Sequence, residues 1–237
     1  MKLTAPLYVL KRRAKLISRR DGLPLHAALD RIAKEEGYGA WSLLAAKMSA
    51  ASPASRLFPV LHPGDCLLLA ARPGQGKTLL AFELVIEAMR NGRQGVFFTL
   101  EYTQRDIVER FGSLAAQADG FADRFTFDNS DGICAGHITR VLANAEPGAL
   151  AAIDYLQLLD QKRSNPDLLD QVRALRAFAR RRGIVFVFIA QIDRLFDLSG
   201  RAMPGMADIR LPNRLDLALF SRACFLHDGE IRFETLM

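Results

Sequence analysis

An α/β fold, with a mostly parallel sheet flanked by helices and a small helical segment ahead of it, is what the 237 residues predict. Three observations carry that reading. The apolar run from Cys66 to Ala71 passes through a glycine-containing loop straight into a helical pattern over Leu79 to Met89. Strand-like and helix-like patterns then alternate to about residue 228, the order that builds parallel βαβ crossovers. Ile184 to Ala190 is unbroken apolar sequence, as suits a central strand buried on both faces.

The elements follow in order. Residues 6–20 set Leu7, Leu10, Ala14 and Ile17 at helical spacing, with Lys11, Lys15 and Arg19 along a second ridge and Arg12, Arg13 and Arg20 beside it. A second helix is expected from Pro24, favoured at a first helical position, to Glu36, with Gly37 ending it and Leu25, Leu29, Ile32 and Ala33 as its apolar face. A third, short helix carries Trp41, Leu44, Ala45 and Met48. Ser49 to Arg56, rich in Ser, Ala and Pro, reads as linker. The expected organisation is a basic helical segment over 1–50, a linker over 51–62 and one α/β domain over 63–237. About fifty residues make a weak independent core, so the segment is expected to dock on the larger domain or on a neighbouring subunit.

In the larger domain, strands are expected at 66–71, 95–100, 124–127, 149–153, 184–190 and 223–227. Helices are expected near 77–90, 103–117, 135–145 and 167–182.

Charge is unevenly placed. Residues 1–60 hold 11 Lys/Arg against 4 Asp/Glu, whereas the remainder holds 21 against 22. The excess positive charge therefore belongs to the front segment, where six basic residues fall between Lys11 and Arg20. That density favours an anionic partner, with Lys11, Arg12, Lys15 and Arg19 as candidate nucleic-acid contacts; the alternative is an ordinary solvated helix face. Only three cysteines occur, at 66, 134 and 224, with no paired spacing that suggests a metal or a disulfide. No apolar run approaches the ~20 residues that cross a bilayer, and a cytoplasmic setting with no membrane partner is expected.

The stretch Ala71-Arg72-Pro73-Gly74-Gln75-Gly76-Lys77-Thr78, followed by Leu79, has the strand–loop–helix context of a phosphate-binding loop. A chain turning from strand to helix over so few residues aims several backbone N–H groups into one hollow, and Gly74 and Gly76 allow an anion to approach closely. Lys77 would reach the β- and γ-phosphates of ATP, and Thr78 would offer its hydroxyl to Mg²⁺. In open α/β sheets the chemistry lies at the carboxyl ends of the strands. The second strand, taken as the neighbour of the loop's strand, ends at Glu101, a candidate base for the attacking water; the alternative is a simple helix-start residue. The 149–153 strand ends in Asp154, the pattern that holds Mg²⁺. The 184–190 strand ends in Gln191, placed to sense the γ-phosphate.

Together these segments resemble the ATPase domain of DnaB-type replicative helicases, in the RecA-like group of P-loop NTPases. The matching pieces are Leu69 through Thr78, the Leu100-Glu101 pair, Ile153-Asp-Tyr-Leu-Gln-Leu158, Ala190-Gln-Ile-Asp-Arg194 and Met206-Ala-Asp-Ile-Arg210, in the family's order and covering 63 to about 228. The resemblance implies that Lys77 and Thr78 bind phosphate and Mg²⁺, that Glu101 is the catalytic base, Asp154 a Mg²⁺ ligand through water, and Gln191 the coupling residue. It also implies DNA-contacting loops near 160–167, with Lys162 and Arg163, and near 194–206, with Arg194 and Arg201. Both loops are rich in Gly, Pro, Ser or Asn and read as mobile.

Two departures stand out. Family members continue into a strand pair whose Lys and Arg reach the ATP of the adjacent subunit, whereas only Arg232 lies beyond the Asp228-Gly229 turn here. The family's large N-terminal collar is replaced by the short basic segment. Two readings follow: a Mg²⁺-dependent, helicase-related ATPase acting on single-stranded DNA or a replication protein, ring-forming if it is a motor, or a nucleotide-gated binding or regulatory module with little turnover.

Overall fold

The computed structural model describes residues 3–5, 7–50, 52–107, 109, 122–160, 165–211, 213 and 215–236. They divide into two compact units, Met1–Ser55 and Arg56–Met237.

The first unit contains α1 (Leu7–Asp21), α2 (Leu25–Glu35) and α3 (Trp41–Ala50). Leu10 and Ala14 of α1, Ala28, Ile32 and Ala33 of α2, and Trp41 and Leu44 of α3 form its core. The apolar face expected for α2 is corrected at one point. Ala28 is buried whereas Leu25, the first helical residue, is 43% exposed. Polar groups fix the joints. The Asp30 carboxylate accepts the Trp41 N–H at 2.8 Å, seating the start of α3, and Glu36 accepts the Thr4 N–H at 2.9 Å. The Thr4 hydroxyl also donates to Glu36, and these hydrogen bonds hold the Glu36 carboxyl below the usual carboxylate range.

The expected linker over 51–62 is not an open connection. It holds α4 (Pro53–Leu57) and a 3-10 turn, Phe58–Val60. Pro53 is at a first helical position, where its missing N–H costs nothing, and Ala54, Leu57, Phe58 and Leu61 are buried. Composition suggested a loop; burial of these apolar groups overrides it.

The second unit is a seven-stranded sheet in the order β3-β2-β4-β5-β1-β6-β7. Its strands are β1 (Cys66–Ala71), β2 (Gly95–Thr99), β3 (Phe125–Asp128), β4 (Leu150–Asp154), β5 (Val185–Gln191), β6 (Arg222–His227) and β7 (Glu230–Thr235). All neighbours are parallel except β6 and β7, a hairpin turning at Asp228-Gly229. The sequence reading had no strand at 230–235, since Glu230-Ile-Arg-Phe-Glu-Thr235 alternates too briefly to stand out. Its half-buried edge position explains that alternation.

Helices α5 (Lys77–Arg90), α6 (Ala135–Val141) and α7 (Leu168–Arg182) cover the sheet. Side-chain alternation divides the strands between two faces. Leu68, Ala70, Phe98, Ile153, Phe186 and Phe188 pack in one cluster with Ile138 of α6 and Val172, Leu175 and Phe178 of α7. The opposite face receives α5, where Phe82 stacks on Phe97 of β2 with centroids 3.9 Å apart and planes 2° from parallel. Of the helix expected at 103–117, residues 104–107 and 109 are helical and 110–117 lie outside the described residues. The helix expected at 135–145 stops at Val141, and the chain turns through Pro147-Gly148 into β4.

Candidate nucleotide site

Ala71 is the last residue of β1 and Lys77 the first of α5, so Arg72 to Gly76 make the whole connection. Gly74 and Gly76 have φ of 78° and 86°, and a Cβ built on either would meet nothing within 4 Å. Glycine is required there by backbone conformation, while the space beside it stays open for a ligand. Gly76 caps α5 without a side-chain bond, and its carbonyl accepts the Leu80 N–H at 2.9 Å. The N–H groups of Lys77, Thr78 and Leu79 have no backbone acceptor among the described residues. These donors and the helix dipole make an anion cradle. Lys77 is half-buried and has no carboxylate partner among the described residues.

Two side chains brace the loop from the sides. Arg72 donates to Asp197, beyond β5, and from Nη1 to the Ile192 carbonyl at 3.1 Å. Gln75 accepts the Asp228 N–H at 2.9 Å and donates to the Asp228 carboxylate at 3.4 Å, which ties the loop to the β6–β7 turn. No local signal pointed to Asp197 or Asp228. They meet the loop only through the strand order.

The strand-end residues share one edge. Ala71 is in register with Gln191, and Thr99 with Asp154. Because the residues one position earlier belong to the cluster beneath α6 and α7, alternation turns Thr99, Asp154 and Gln191 to the α5 face, the side from which Lys77 and Thr78 emerge. Asp154 is 1% exposed. Glu101 is exposed, and its N–H donates to the Thr99 hydroxyl at 3.0 Å.

One assumption is corrected here. The strand that carries Glu101 is not beside the loop's strand: β5 and β4 lie between them. At the usual inter-strand spacing, β1 and β2 are about 14 Å apart, a gap that a triphosphate and its water would have to bridge.

The 192–210 segment is built, not loose. It holds 3-10 turns at Arg194–Leu198 and Met206–Asp208, with a bridge between Ile192 and Ile209. The Asp193 N–H donates to the Asp208 carbonyl at 2.7 Å, and the Arg210 N–H to the Gln191 carbonyl at 2.8 Å. Gln157 Nε2 donates to the Arg210 carbonyl at 3.1 Å, joining the β4 and β5 exits. Arg201 pairs with Asp208 and lies over the Phe196 ring at 5.5 Å. Burial would raise the Asp208 carboxyl, but Arg201 and the Gly205 N–H together hold it low. Arg194 is exposed with no ion pair among the described residues. Arg232, on β7, donates to the Pro204 carbonyl at 2.7 Å. Lys162 and Arg163 lie outside the described residues.

In the first unit, Arg12, Lys15 and Arg19 are exposed with no ion pair among the described residues, whereas Arg13 pairs with Glu35 and Arg20 with Asp21. Lys11 is half-buried, and burial, then Lys15, lowers its pKa. Burial pushes the Cys66 and Cys224 thiols up to about 12, too high for nucleophiles. Among the described residues no helix is long and apolar enough to cross a membrane, and no His/Cys/Asp/Glu group could hold a metal by itself.

Known proteins are similar to this chain in sequence and in fold. Residues 55–125 match the profile of the DnaB-like helicase C terminal domain. A probable plasmid replicative DNA helicase of Chlamydia muridarum is 28% identical over 183 residues, 64% of this chain and 40% of that one. The replicative DNA helicase DnaB of Rickettsia felis is 24% identical over 190 residues, 63% and 38% of the two chains. The chain thus spans about two fifths of the length of these relatives. Among solved structures, a DnaB-like replicative helicase described with its primase interactions superposes at a TM-score of 0.62 and 20% identity, over 97% of this chain and 71% of that one. A KaiC-like protein of Pyrococcus horikoshii superposes at 0.54 and 17%, over 73% and 80%. At such identities the structures establish the fold alone. The second unit has the RecA-like fold of these structures, and residues 55–125 are similar to the DnaB-like helicase C terminal domain.

Proposed function

We propose that this chain binds ATP with Mg²⁺ and hydrolyses it, acting in the cytoplasm on single-stranded DNA or on a replication assembly. The carrying observation is that Thr99, Asp154 and Gln191 share the sheet face from which Lys77 and Thr78 emerge, at one end of the sheet.

Each residue has a role that its position supports. Open N–H groups at the start of α5 hold phosphate oxygens, and Lys77 adds a cation that no carboxylate among the described residues pairs with. Thr78 and Asp154 fit the holding of Mg²⁺, which when bound would neutralise charge on the β- and γ-phosphate oxygens. Glu101, exposed at the strand edge, takes the proton of the attacking water, an effect worth roughly 10²–10⁴ in rate. Gln191 hands the state of the site to the 192–210 segment through its carbonyl bond to Arg210. Arg194, on that segment and without an ion pair among the described residues, is a cation facing a DNA strand. Exposed Arg12, Lys15 and Arg19 supply a second contact for phosphate groups. A ring of copies would bring a cation from the neighbouring subunit to the γ-phosphate, the role that Arg232 cannot play while it holds Pro204.

Turnover measured with and without single-stranded DNA, together with mass determination, tests the reading. Expected are an oligomer with DNA-stimulated hydrolysis in the parent and loss of nucleotide affinity in Lys77→Ala. A Lys77→Ala protein that binds and hydrolyses ATP like the parent would overturn it.

A further inference from the structure

Strand β1 has β5 on one side and β6 on the other, and the phosphate loop that follows β1 takes one brace from the exit of each. Arg72 is held by Asp197, beyond β5, and Gln75 by Asp228, beyond β6. The two exits also hold one another. The His227 ring meets the Phe196 ring edge to face, with centroids 5.0 Å apart and planes at 89°. Arg72, Asp197, Phe196, His227, Asp228 and Gln75 thus close a circuit around the loop.

The loop needs such outside support. Gln75 lies between Gly74 and Gly76, both left-handed, and neither glycine is packed against a neighbour, since a Cβ on either would meet nothing within 4 Å. The backbone bond inside the loop, from the Gln75 N–H to the Arg72 carbonyl, is long at 3.3 Å. Glycine moves readily among backbone conformations, so a loop of this kind loses much entropy when an anion orders it. Restraint at Gln75 removes part of that loss before the anion arrives.

The chemistry of this brace is specific. A backbone N–H only donates and a carboxylate only accepts, so a side chain that answers both must offer one acceptor and one donor, as a primary amide does. Gln75 Oε1 accepts the Asp228 N–H at 2.9 Å, and Nε2 donates to Asp228 Oδ1 at 3.4 Å. Asp228, at φ 47°, and Gly229, at 81°, are the left-handed pair of a two-residue hairpin turn, so the N–H is presented by a fixed backbone. The Asp228 charge has the opposite effect, because a carboxylate beside an anion cradle repels the anion. Hydrogen bonding and charge at this residue can therefore be told apart.

We propose that Gln75 and Asp228 are positioning residues: their two bonds hold the loop in the conformation that, on the nucleotide reading above, receives a triphosphate. Affinity of the full chain for a fluorescent ATP analogue with Mg²⁺ is measured by equilibrium titration. Gln75→Ala, which removes both bonds, is expected to weaken binding about tenfold. Asp228→Asn and Asp228→Gly remove the same charge and both suit a left-handed turn, but only Asn keeps a side-chain acceptor. The Asn variant is expected to bind about threefold more tightly than the Gly variant, and that gap is expected to vanish once Gln75 is replaced by Ala. A role confined to the stability of the turn would move the melting temperature and leave the gap the same in both backgrounds. A gap that survives Gln75→Ala overturns the proposal, and so do equal affinities of the Asn and Gly variants or a Gln75→Ala protein that binds like the parent. Lys77→Ala separates the two failures. If it loses the analogue while Gln75→Ala binds like the parent, the positioning role alone falls; if it too binds like the parent, the nucleotide reading falls with it.

Discussion

Arg72 Nε stands 3.1 and 3.0 Å from the two carboxylate oxygens of Asp197, and Nη2 stands 2.9 Å from one of them. This fork links the phosphate loop to the turn that follows β5, across 125 residues of sequence. On the proposed function, a change at a nucleotide bound by the loop would thereby be mechanically joined to the segment carrying Arg194 and Arg201. The pair is partly solvated, with side chains 24% and 48% exposed, so its contribution to stability is small, about 0.2–1 kcal/mol. Asp197→Ala is expected to leave the melting temperature nearly unchanged while weakening the stimulation of ATP turnover by single-stranded DNA. A thermal melt and a DNA titration of turnover read the two effects separately.

Glu101 and Asp154 are expected to fail differently. Glu101→Gln keeps nucleotide affinity and loses turnover by roughly 10²–10⁴. Asp154→Asn loses Mg²⁺-dependent affinity, seen as a Kd for ATP that no longer responds to the cation. Equilibrium binding of a fluorescent ATP analogue, with and without Mg²⁺, checks both.

Two glycines separate conformational from steric cost. Gly76→Ala meets open space but must hold a left-handed backbone, a cost of about 1–2 kcal/mol confined to the loop. Gly95→Ala places a Cβ 2.6 Å from Val85 Cγ1 and 3.2 Å from Met89 Cγ, pushing α5 off β2 at about 1–3 kcal/mol. Urea denaturation is expected to rank the second at least as destabilising. Only the first should impair ATP binding beyond its effect on stability.

Phe97→Ala removes one ring of the stack with Phe82 between β2 and α5. Both rings are fully buried, and the expected loss is about 3–5 kcal/mol. Chemical denaturation measures it directly.

Acid is expected to destabilise the second unit through Asp65. Burial would raise its carboxyl, but the His62 N–H, the Ser221 hydroxyl and Arg222 hold it below the usual carboxylate value. A group whose pKa is depressed on folding adds stability that is fully present above its unfolded value, near ~3.9, and is lost as pH falls through the folded one. Stability should therefore be flat above about pH 5 and fall below about pH 4. Asp65→Asn should lose about 1–3 kcal/mol at neutral pH and flatten that acid slope. Denaturation series at several pH values test the sign.

Much of the fold is legible in order along the chain. Cys66–Ala71 and Val185–Gln191 are apolar at every position but the final Gln191 because both faces of a central parallel strand are covered. The phosphate loop is readable for a similar reason: strand, glycines, Lys and Thr must be adjacent in sequence to be adjacent in space. Elements with weak local signals were misjudged. Pro53–Leu57 has linker composition, and Glu230–Thr235 is a short edge strand. The 192–210 segment has loop composition, yet its bonds to Gln191, Gln157 and Asp208 give it a defined course.

What the sequence determined by itself is local: six of the seven strands, where several of them end in a polar residue, and that a loop of phosphate-binding pattern follows the first strand of the sheet. The tertiary structure decided everything that depends on strand order, because hydrogen-bonded neighbours in a parallel sheet need not be neighbours in the chain. It put Gln191 beside Ala71, moved Glu101 three strands away, turned Thr99, Asp154 and Gln191 to the α5 face, and gave Arg72 and Gln75 partners that no spacing foretold. Side-chain alternation and crossover topology are geometric properties of the folded sheet, and only their combination fixes which charges meet.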